Sequence, residues 1–223
     1  RGVSESVSPL VLAAPSGVGK TTLARRLVEG SEEYIFSVSA TTRDPREGEQ
    51  NGIDYHFVDR ASFEAMVGRG ELAEWAEVHG RLYGTPRREL EAAAARGEHV
   101  VLDIDVQGAH RLRQSVPSTK LIFILPPSIK ILISRLTRRG TEKPKEVARR
   151  LKSALEELQA AQEFDYVVVN DDVDGCLETI RSIVDGAIEV MGPEAVAHDL
   201  KALRREILRI LDEEYAEYVN MIR

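Results

Sequence analysis

Short runs of apolar residues alternate along the chain with segments in which apolar residues recur every three or four positions. The runs PLVLAA, HVVLDID, KLIFILPP and DYVVVND are nearly continuous in apolar residues, which is typical of strands buried on both faces of a sheet. The segments between them, such as KTTLARRLVEG and KPKEVARRLKSALEELQAAQEF, show the helical period. This alternation predicts an α/β fold in which helices cover both faces of a parallel core sheet.

The stretch from residue 37 to about residue 85 has a different pattern. Its apolar runs SVSATT, YHFVD and RLYGTP are short and more polar, and the loop RDPREGEQNGID separates the first two. The segment RASFEAMVGRGELAEWAEV contains a predicted helix that ends near Gly68 or Gly70. We therefore expect an insertion that carries a small mixed or antiparallel sheet.

The last segment, VAHDLKALRREILRILDEEYAEYVNMIR, predicts an amphipathic helix. Its charges fall on one side and its apolar residues on the other. The apolar positions are Leu200, Leu203, Ile207, Ile210, Leu211, Tyr215, Tyr218 and Ile222. Two interpretations are open: the helix packs on its own domain, or it forms a coiled coil with a second copy of the chain.

Length and composition narrow the class of protein. The chain has 223 residues, enough for one well-buried domain with an appendage, and no apolar run reaches the roughly 18 residues of a membrane span. Its first residues lack the apolar core of a signal peptide. The single cysteine, Cys176, cannot form an internal disulfide, so we expect a cytoplasmic protein in which Cys176 is a packing residue.

The charge distribution favours small anionic ligands over nucleic acid. A general nucleic-acid binder is usually basic, whereas the formal net charge of this chain is -7. Lysine and arginine are nevertheless clustered, at 43–46, 81–88, 135–152 and 201–209. Local positive charge within a negative total suits a protein that handles small phosphorylated molecules.

The stretch AAPSGVGKTTL, which follows the first predicted strand, is close to the phosphate-loop pattern G-x-x-x-x-G-K-[ST]. Gly17 and Gly19 allow the backbone to approach a phosphate, and the amides of the following helix N-terminus point at it. Lys20 is placed to reach the β and γ phosphates, and the Thr21 hydroxyl can bind Mg²⁺. Ala14 replaces the first glycine at the strand exit, where a methyl group is tolerated if φ is negative. The loop predicts ATP or GTP binding.

A second phosphate site is predicted in the loop that follows SVSATT. Arg43 and Arg46 lie three positions apart, and Tyr55 follows soon after. Two planar guanidinium groups and a phenol can together hold a phosphate monoester. Either arginine alone would be an ordinary surface charge.

Several segments resemble guanylate kinase in the same order and spacing, over about residues 8–190. They are APSGVGKTT, SVSATTRDPREGEQNGIDYHF, ELAEWAEVHGRLYGT, LDIDVQG, RLTRRGTE and VVVNDD. The resemblance implies an enzyme of purine metabolism and GMP recycling that transfers the γ-phosphate of ATP to GMP, giving ADP and GDP. Bacterial members commonly have alanine at the first loop position.

The resemblance also implies a three-layer fold of the P-loop NTPase type, with a parallel core sheet, a mixed-sheet GMP-binding insertion and a helical lid. It divides the chain into a core (8–36, 98–133 and 155–190), a GMP-binding region (37–97) and a lid (134–154). The amphipathic segment 193–223 lies beyond the resemblance.

Site residues follow from the same resemblance. The implied ATP-binding residues are Ala14, Pro15, Ser16, Gly17, Val18, Gly19, Lys20, Thr21, Thr22 and Asn170. The implied GMP-binding residues are Ser39, Arg43, Arg46, Glu49, Tyr55, Glu74, Tyr83, Thr85 and Asp105. The implied catalytic cations are Lys20, Arg43 and the lid residues Arg135, Arg139 and Arg150. The implied cofactor is Mg²⁺, with Thr21 and Asp103 as its residues, partly through water.

The strand HVVLDID ends in two carboxylates, Asp103 and Asp105, that point to the same side. Carboxylates at the carboxyl end of a strand suit a ligand or metal site in an open α/β sheet. Capping of the next turn is the alternative role for Asp103.

Guanine chemistry supports the role of Glu74. One carboxylate can accept both the N1–H and the 2-amino group of guanine, whereas adenine would turn a lone pair toward it. Such mispairing is worth on the order of 10⁴-fold in discrimination. Without the resemblance, Glu74 would be expected to be an exposed glutamate on a helix.

Two other functions are compatible with a phosphate loop. A guanylate-kinase-like scaffold that binds proteins would typically have lost loop or lid residues, but this chain keeps Lys20, Thr21 and Asp103. A kinase for a different nucleoside monophosphate is disfavoured by the implied guanine set. We expect ATP and GMP as partners, no nucleic acid, no membrane, and a possible homo-oligomer through the C-terminal helix.

Overall fold

The computed structural model describes residues 7–15, 17–78, 80–137, 143–187 and 192–219. In chain order the elements are β1 (Leu10–Ala13), α1 (Lys20–Glu29), β2 (Tyr34–Phe36), β3 (Ala40–Thr41), β4 (His56–Phe57), α2 (Arg60–Gly68), β5 (Leu72–Val78), β6 (Arg81–Pro86), α3 (Arg87–Arg96), β7 (His99–Leu102), α4 (Val106–Ser115), β8 (Lys120–Leu125), α5 (Ile129–Thr137), α6 (Pro144–Ala160), β9 (Tyr166–Val169), α7 (Val173–Val184), α8 (Ala197–Glu214) and α9 (Ala216–Val219). None of the helices in the described part of the chain has the length and apolar content of a membrane span.

The predicted α/β fold with a parallel core sheet is confirmed. The core sheet has the strand order β2-β7-β1-β8-β9, and its described pairings are parallel. The chain divides into two compact units, Arg1–Val11 with Leu27–Lys120, and Leu12–Arg26 with Leu121–Arg223. The boundary between the units falls within β1.

The first unit contains a second sheet of order β4-β3-β6-β5, which confirms the predicted insertion with a small mixed sheet. β3 pairs with β4 in parallel and with β6 antiparallel, and β5 and β6 form an antiparallel pair. Helix α2 packs on this sheet through Phe63, which is fully buried against Ala40, Leu72 and Leu82.

The sequence pattern does not reveal strand β5, and the structure excludes the alternative in which Glu74 is an exposed residue on a helix. Helix α2 ends at Gly68, as predicted, and Gly70 adopts a left-handed φ of 67° that turns the chain. The next residues then pair with β6, and Glu74 is only 6% exposed. Within Leu72–Val78 the first three residues are all buried. The strict alternation of buried and exposed residues that marks a strand is therefore absent.

The second unit buries the apolar face of the C-terminal helix. Helix α8 contacts α6 and α5, and five of its predicted apolar positions are buried: Leu200, Leu203, Ile207, Ile210 and Leu211. Tyr215 and Tyr218 are half-buried, and Ile222 lies outside the described residues. These contacts support the interpretation that this helix packs on its own chain.

Cys176, on α7 of the same unit, is 3% exposed. Burial raises the pKa of its thiol to about 12, so the thiol stays protonated near neutral pH. This supports its predicted role as a packing residue.

Replacing Ile207 with alanine is expected to lower the free energy of unfolding by about 2–5 kcal/mol, because the side chain is fully buried and its removal leaves a cavity. Urea unfolding followed by circular dichroism would measure the loss. The matched control is Leu208→Ala on the same helix, where the side chain is 52% exposed and the expected change is under about 1 kcal/mol. Equal effects at the two positions would contradict the packing of α8.

Candidate active site

The glycine-rich loop lies between β1 and α1, in the second unit. Gly17 and Gly19 have φ values of 86° and 100°, in a region that L side chains rarely adopt. The amide of Val18 donates to the carbonyl oxygen of Pro15 at 3.2 Å, which closes the turn before α1 begins at Lys20. The loop thus leads directly into the N-terminus of a ten-residue helix, the arrangement that binds phosphate through backbone amides. Ser16 lies outside the described residues.

Two side chains far away in the sequence hold this loop by one carbonyl group. The carbonyl oxygen of Val18 accepts hydrogen bonds from Arg135 Nη1 at 2.7 Å and from Asn170 Nδ2 at 2.9 Å. A Cβ atom at Gly19 would lie 3.3 Å from Asn170 Nδ2, so the close contact also favours glycine there. Both residues were predicted as site residues, but their contact with the loop was not.

The lid residues are only partly described. Arg135 lies near the end of α5 and Arg150 lies in α6, where its side chain is half-buried. Arg139 lies outside the described residues. Asn170, just after β9, is 2% exposed, and its Oδ1 atom makes no hydrogen bond within the described part of the chain.

The first unit contains a cavity of about 240 Å³. It brings together six residues that the sequence assigned to the acceptor or metal site: Ser39, Tyr55, Glu74, Tyr83, Asp103 and Asp105. The remaining walls are formed by Ala76, Val78, Gly84 and Ile104. Strands β5 and β6 and the segment after β7 thus supply both polar groups and an apolar surface for a flat ligand.

The carboxylate of Glu74 is the buried charge of this cavity. Thr85 Oγ1 donates a 2.7 Å hydrogen bond to Glu74 Oε1, and Thr85 is fully buried. Burial raises the pKa of Glu74 to about 7, against the lowering effect of the Thr85 hydrogen bond; nearby Asp105 raises it further, and Arg111 lowers it. Because this pKa lies close to neutral pH, both the ionised and the neutral form of Glu74 are populated there.

Two glycines make room for this carboxylate and its strand. A Cβ atom at Gly84 would lie 2.9 Å from the backbone oxygen of Glu74, which the sheet cannot accommodate without moving. A Cβ atom at Gly108 would lie 3.2 Å from Glu74 Oε2 and 3.2 Å from Asp105 Oδ1. Asp105 also caps α4, since its Oδ1 accepts from the amide of Gly108 at 2.7 Å.

The corner predicted to bind phosphate, formed by Arg43, Arg46 and Tyr55, contains a bidentate ion pair. Arg43 donates to the two oxygens of Glu49 at 2.8 and 2.9 Å, and the amide of Arg46 donates to Glu49 Oε2 at 2.7 Å. These bonds raise the pKa of Arg43 and lower that of Glu49. The sequence assigned Glu49 to GMP binding and gave no sign of this pairing, in which Glu49 holds an arginine of the site.

Aromatic rings extend this corner toward the cavity. The guanidinium carbon of Arg43 lies 5.3 Å from the centre of the Tyr55 ring, within the range of a cation–π contact. The rings of Tyr55 and Tyr83 are 6.2 Å apart at an interplanar angle of 70°. Arg43 is thereby fixed from two sides, while the Arg46 side chain is exposed.

Comparison with known proteins gives a consistent result. The model of the guanylate kinase family matches residues 6–187. The chain is 50% identical to a guanylate kinase of Nocardia farcinica, over 78% of this chain and 91% of that protein. It is 46% identical to a guanylate kinase of Dechloromonas aromatica, over 84% of this chain and 93% of that protein.

A solved structure agrees with these relatives. The crystal structure of guanylate kinase from Anaplasma phagocytophilum matches with a TM-score of 0.63 and 36% sequence identity. The match covers 84% of this chain and 89% of that one. Helix α8 begins at Ala197, beyond the region that the family model matches.

Proposed function

Because the chain belongs to the guanylate kinase family, whose reaction is the phosphorylation of GMP by ATP, we propose roles in that reaction for the residues described above. The chain is a nucleotide phosphotransferase that forms ADP and GDP. The observation that supports GMP as the acceptor is the buried carboxylate of Glu74 on the wall of a cavity of about 240 Å³.

We propose that Glu74 reads the guanine base. Its carboxylate accepts the N1–H and the 2-amino group, and Thr85 orients it through the 2.7 Å hydrogen bond. Ser39 and Asp105, on the same cavity, complete the set around the base. Adenine offers a lone pair at the matching position, so its binding would leave a buried charge without a donor.

We propose that Arg43, Arg46, Tyr55 and Tyr83 hold the phosphate of GMP. Charge-assisted and bidentate contacts from arginine suit a phosphate monoester. The role of Glu49 is to keep the Arg43 guanidinium in place when GMP is absent, through the same two hydrogen bonds. The GMP phosphate then meets a cation that is already ordered, which lowers the entropy lost on binding.

We propose that the loop amides of the second unit and Lys20 bind the phosphates of ATP, with Asn170 near the adenine. In the transfer, an oxygen of the GMP phosphate forms a bond to the γ phosphorus while the bond to the bridging oxygen of ADP breaks. The acceptor is already an anion, so no general base is needed. Arg135, Arg139 and Arg150 offset the negative charge on the transferred group, and closure of the lid excludes water.

The donor groups suit magnesium that arrives with ATP. Mg²⁺ is usually held by one or two protein oxygens, by water and by the substrate phosphates, and not by a cage of side chains. Among the described residues no group of three or more histidine, cysteine, aspartate or glutamate side chains could hold a metal. We propose Thr21, at the start of α1, as a ligand, and Asp103 as a residue that acts through water. Bound Mg²⁺ would neutralise charge on the phosphates.

We propose a cytoplasmic location from the nucleotide substrates and the single, buried cysteine. Self-association through residues 193–223 stays a prediction. The burial of the apolar positions of α8 against α5 and α6 of the same unit favours packing on the same chain instead.

A coupled assay of ADP release with GMP, AMP, CMP and UMP tests the assignment of the acceptor. We expect kcat/KM for GMP to exceed that for AMP on the order of 10⁴-fold, since the site depends on polar pairing with the base. CMP and UMP present different base edges and serve as controls for nonspecific transfer. Equal or better turnover with AMP would overturn the role given to Glu74.

A further inference from the structure

Helix α4 lies along the outer edge of strand β5. β5 is the last strand of its sheet, so one side of its backbone has no strand partner. Two of the carbonyl groups on that side are taken by α4: Arg111 Nη1 donates to Trp75 at 2.5 Å, and Ser115 Oγ donates to Ala73 at 2.6 Å. The two acceptors, Ala73 and Trp75, flank Glu74 in the chain, so α4 fixes the backbone on both sides of Glu74.

The residues of α4 that meet this strand share one face of the helix. Gly108, Arg111 and Ser115 are three and four positions apart, which places them one above another. Gly108 makes the close approach to Glu74 Oε2, and the other two hold the strand carbonyls. Of these three residues, Arg111 is the one that carries a charge.

We propose that Arg111 is a positioning residue for guanine recognition: it holds the strand of Glu74 through the Trp75 carbonyl and places a positive charge on the helix beside that strand. The proposal rests on the role of Glu74 in the proposed function. It extends that role by naming a cation whose charge, together with the Thr85 hydrogen bond, counteracts the effect of burial on the carboxylate that guanine needs as an acceptor.

The positive charge of Arg111 counteracts the effect of the acidic groups around the cavity on Glu74. The titratable groups that line the cavity with Glu74 are Asp103 and Asp105 before α4, Tyr83 on β6, and Tyr55. Burial and the negative charge of Asp105 both oppose ionisation of Glu74. Thr85 and Arg111 act in the opposite direction, and Arg111 is the cation among the groups described as affecting Glu74.

Replacing Arg111 with methionine tests the proposal in the full chain. We expect kcat/KM for GMP, relative to that of the wild type, to be about threefold lower at pH 6.5 than at pH 9, where Glu74 is ionised in either protein. The KM for ATP should not change. Arg111→Lys keeps the charge and should restore the wild-type pH profile.

Ser115→Ala is the matched control. It removes the neighbouring hydrogen bond from α4 to β5 without removing a charge. We expect this variant to lose some stability and to keep the wild-type pH profile for GMP. The GMP phosphate itself titrates near pH 6, but its effect is the same for every variant and cancels in the comparison.

Fluorescence of Trp75 separates binding from turnover. It is the single tryptophan of the chain, it is 42% exposed, and it neighbours Glu74. A GMP titration at pH 6.5 and pH 9 should show that Arg111→Met weakens binding more at the lower pH than at the higher one.

Two outcomes would overturn the role of Arg111: a wild-type profile in Arg111→Met, or an equal loss at every pH in Arg111→Met and Ser115→Ala. The latter would make the contact purely structural. Failure of the proposed function looks different, because the wild-type protein would then not prefer GMP, whatever residue is at position 111.

Discussion

Replacing Lys20 with alanine is expected to lower turnover by at least about a thousandfold while the fold stays intact. Lys20 is the first residue of α1, directly after the loop in which Gly17 and Gly19 have positive φ. In the proposed transfer its ammonium group contacts the β and γ phosphates, where negative charge develops, and catalysis of phosphoryl transfer depends almost wholly on such positioning and charge.

The coupled assay of ADP release measures this loss at saturating GMP and ATP. Arg25→Ala is a matched control, since it removes a cation from an exposed position of the same helix and should leave turnover within about twofold. Thermal unfolding of both variants shows whether the fold is kept. Near-normal turnover in Lys20→Ala would refute the placement of the ATP phosphates at this loop.

Glu74→Gln is expected to lower kcat/KM for GMP on the order of 10³ to 10⁴-fold. Glutamine keeps the oxygen that accepts from Thr85, but its amide group turns a donor toward the donors of guanine. The activity measurement compares GMP with AMP, and the selectivity between them should collapse. Thr85→Val, which removes only the orienting hydroxyl group, should give a smaller loss.

The same substitution is expected to stabilise the protein at alkaline pH. The pKa of Glu74 is about 7 in the folded protein and 4.5 for a solvent-exposed glutamate, so the folded state opposes ionisation. Below pH 4.5 the group is neutral in both states and this opposition has no effect. As pH rises from 4.5 through 7, the folded protein loses about 3 kcal/mol of stability relative to a protein with a neutral group at this position, and the loss is complete above pH 7.

Urea unfolding of Glu74→Gln and wild type at pH 4.5, 6 and 8 would reveal this difference. The stability gained by the variant should increase with pH and be largest at pH 8, with little difference at pH 4.5. A constant difference across that range would mean that the carboxylate does not titrate as its burial implies. Loss of GMP use together with a gain in stability would identify Glu74 as a residue kept for recognition.

Features with local causes could be read from the sequence. The apolar runs that became β1, β7, β8 and β9 are nearly continuous, because the strands of a parallel sheet are covered on both faces. The glycine loop was equally clear, because Gly17 and Gly19 are required by the backbone itself. The helical period of 197–211 identified which residues of α8 would be buried, although it could not say what would cover them.

Contacts between distant parts of the chain could not be read in this way. β5 was missed because α4 covers its edge and Glu74 interrupts the expected alternation of polar and apolar residues. The carbonyl of Val18 is held by Asn170, which is 152 positions away, and no local pattern marks a hydrogen bond of that kind. The pairing of Arg43 with Glu49 was hidden because charged residues in a polar loop are ordinarily solvated.

By itself, the sequence determined the α/β class, the phosphate loop and the resemblance that names the reaction, because backbone preferences and apolar periods act over neighbouring residues. Only the tertiary structure decided that Glu74 would be buried on a strand, that its pKa would rise to about 7, and that Arg111 would lie on the helix behind that strand. Burial and electrostatic environment are created by segments that meet in space, so they are not properties of any one stretch of the chain.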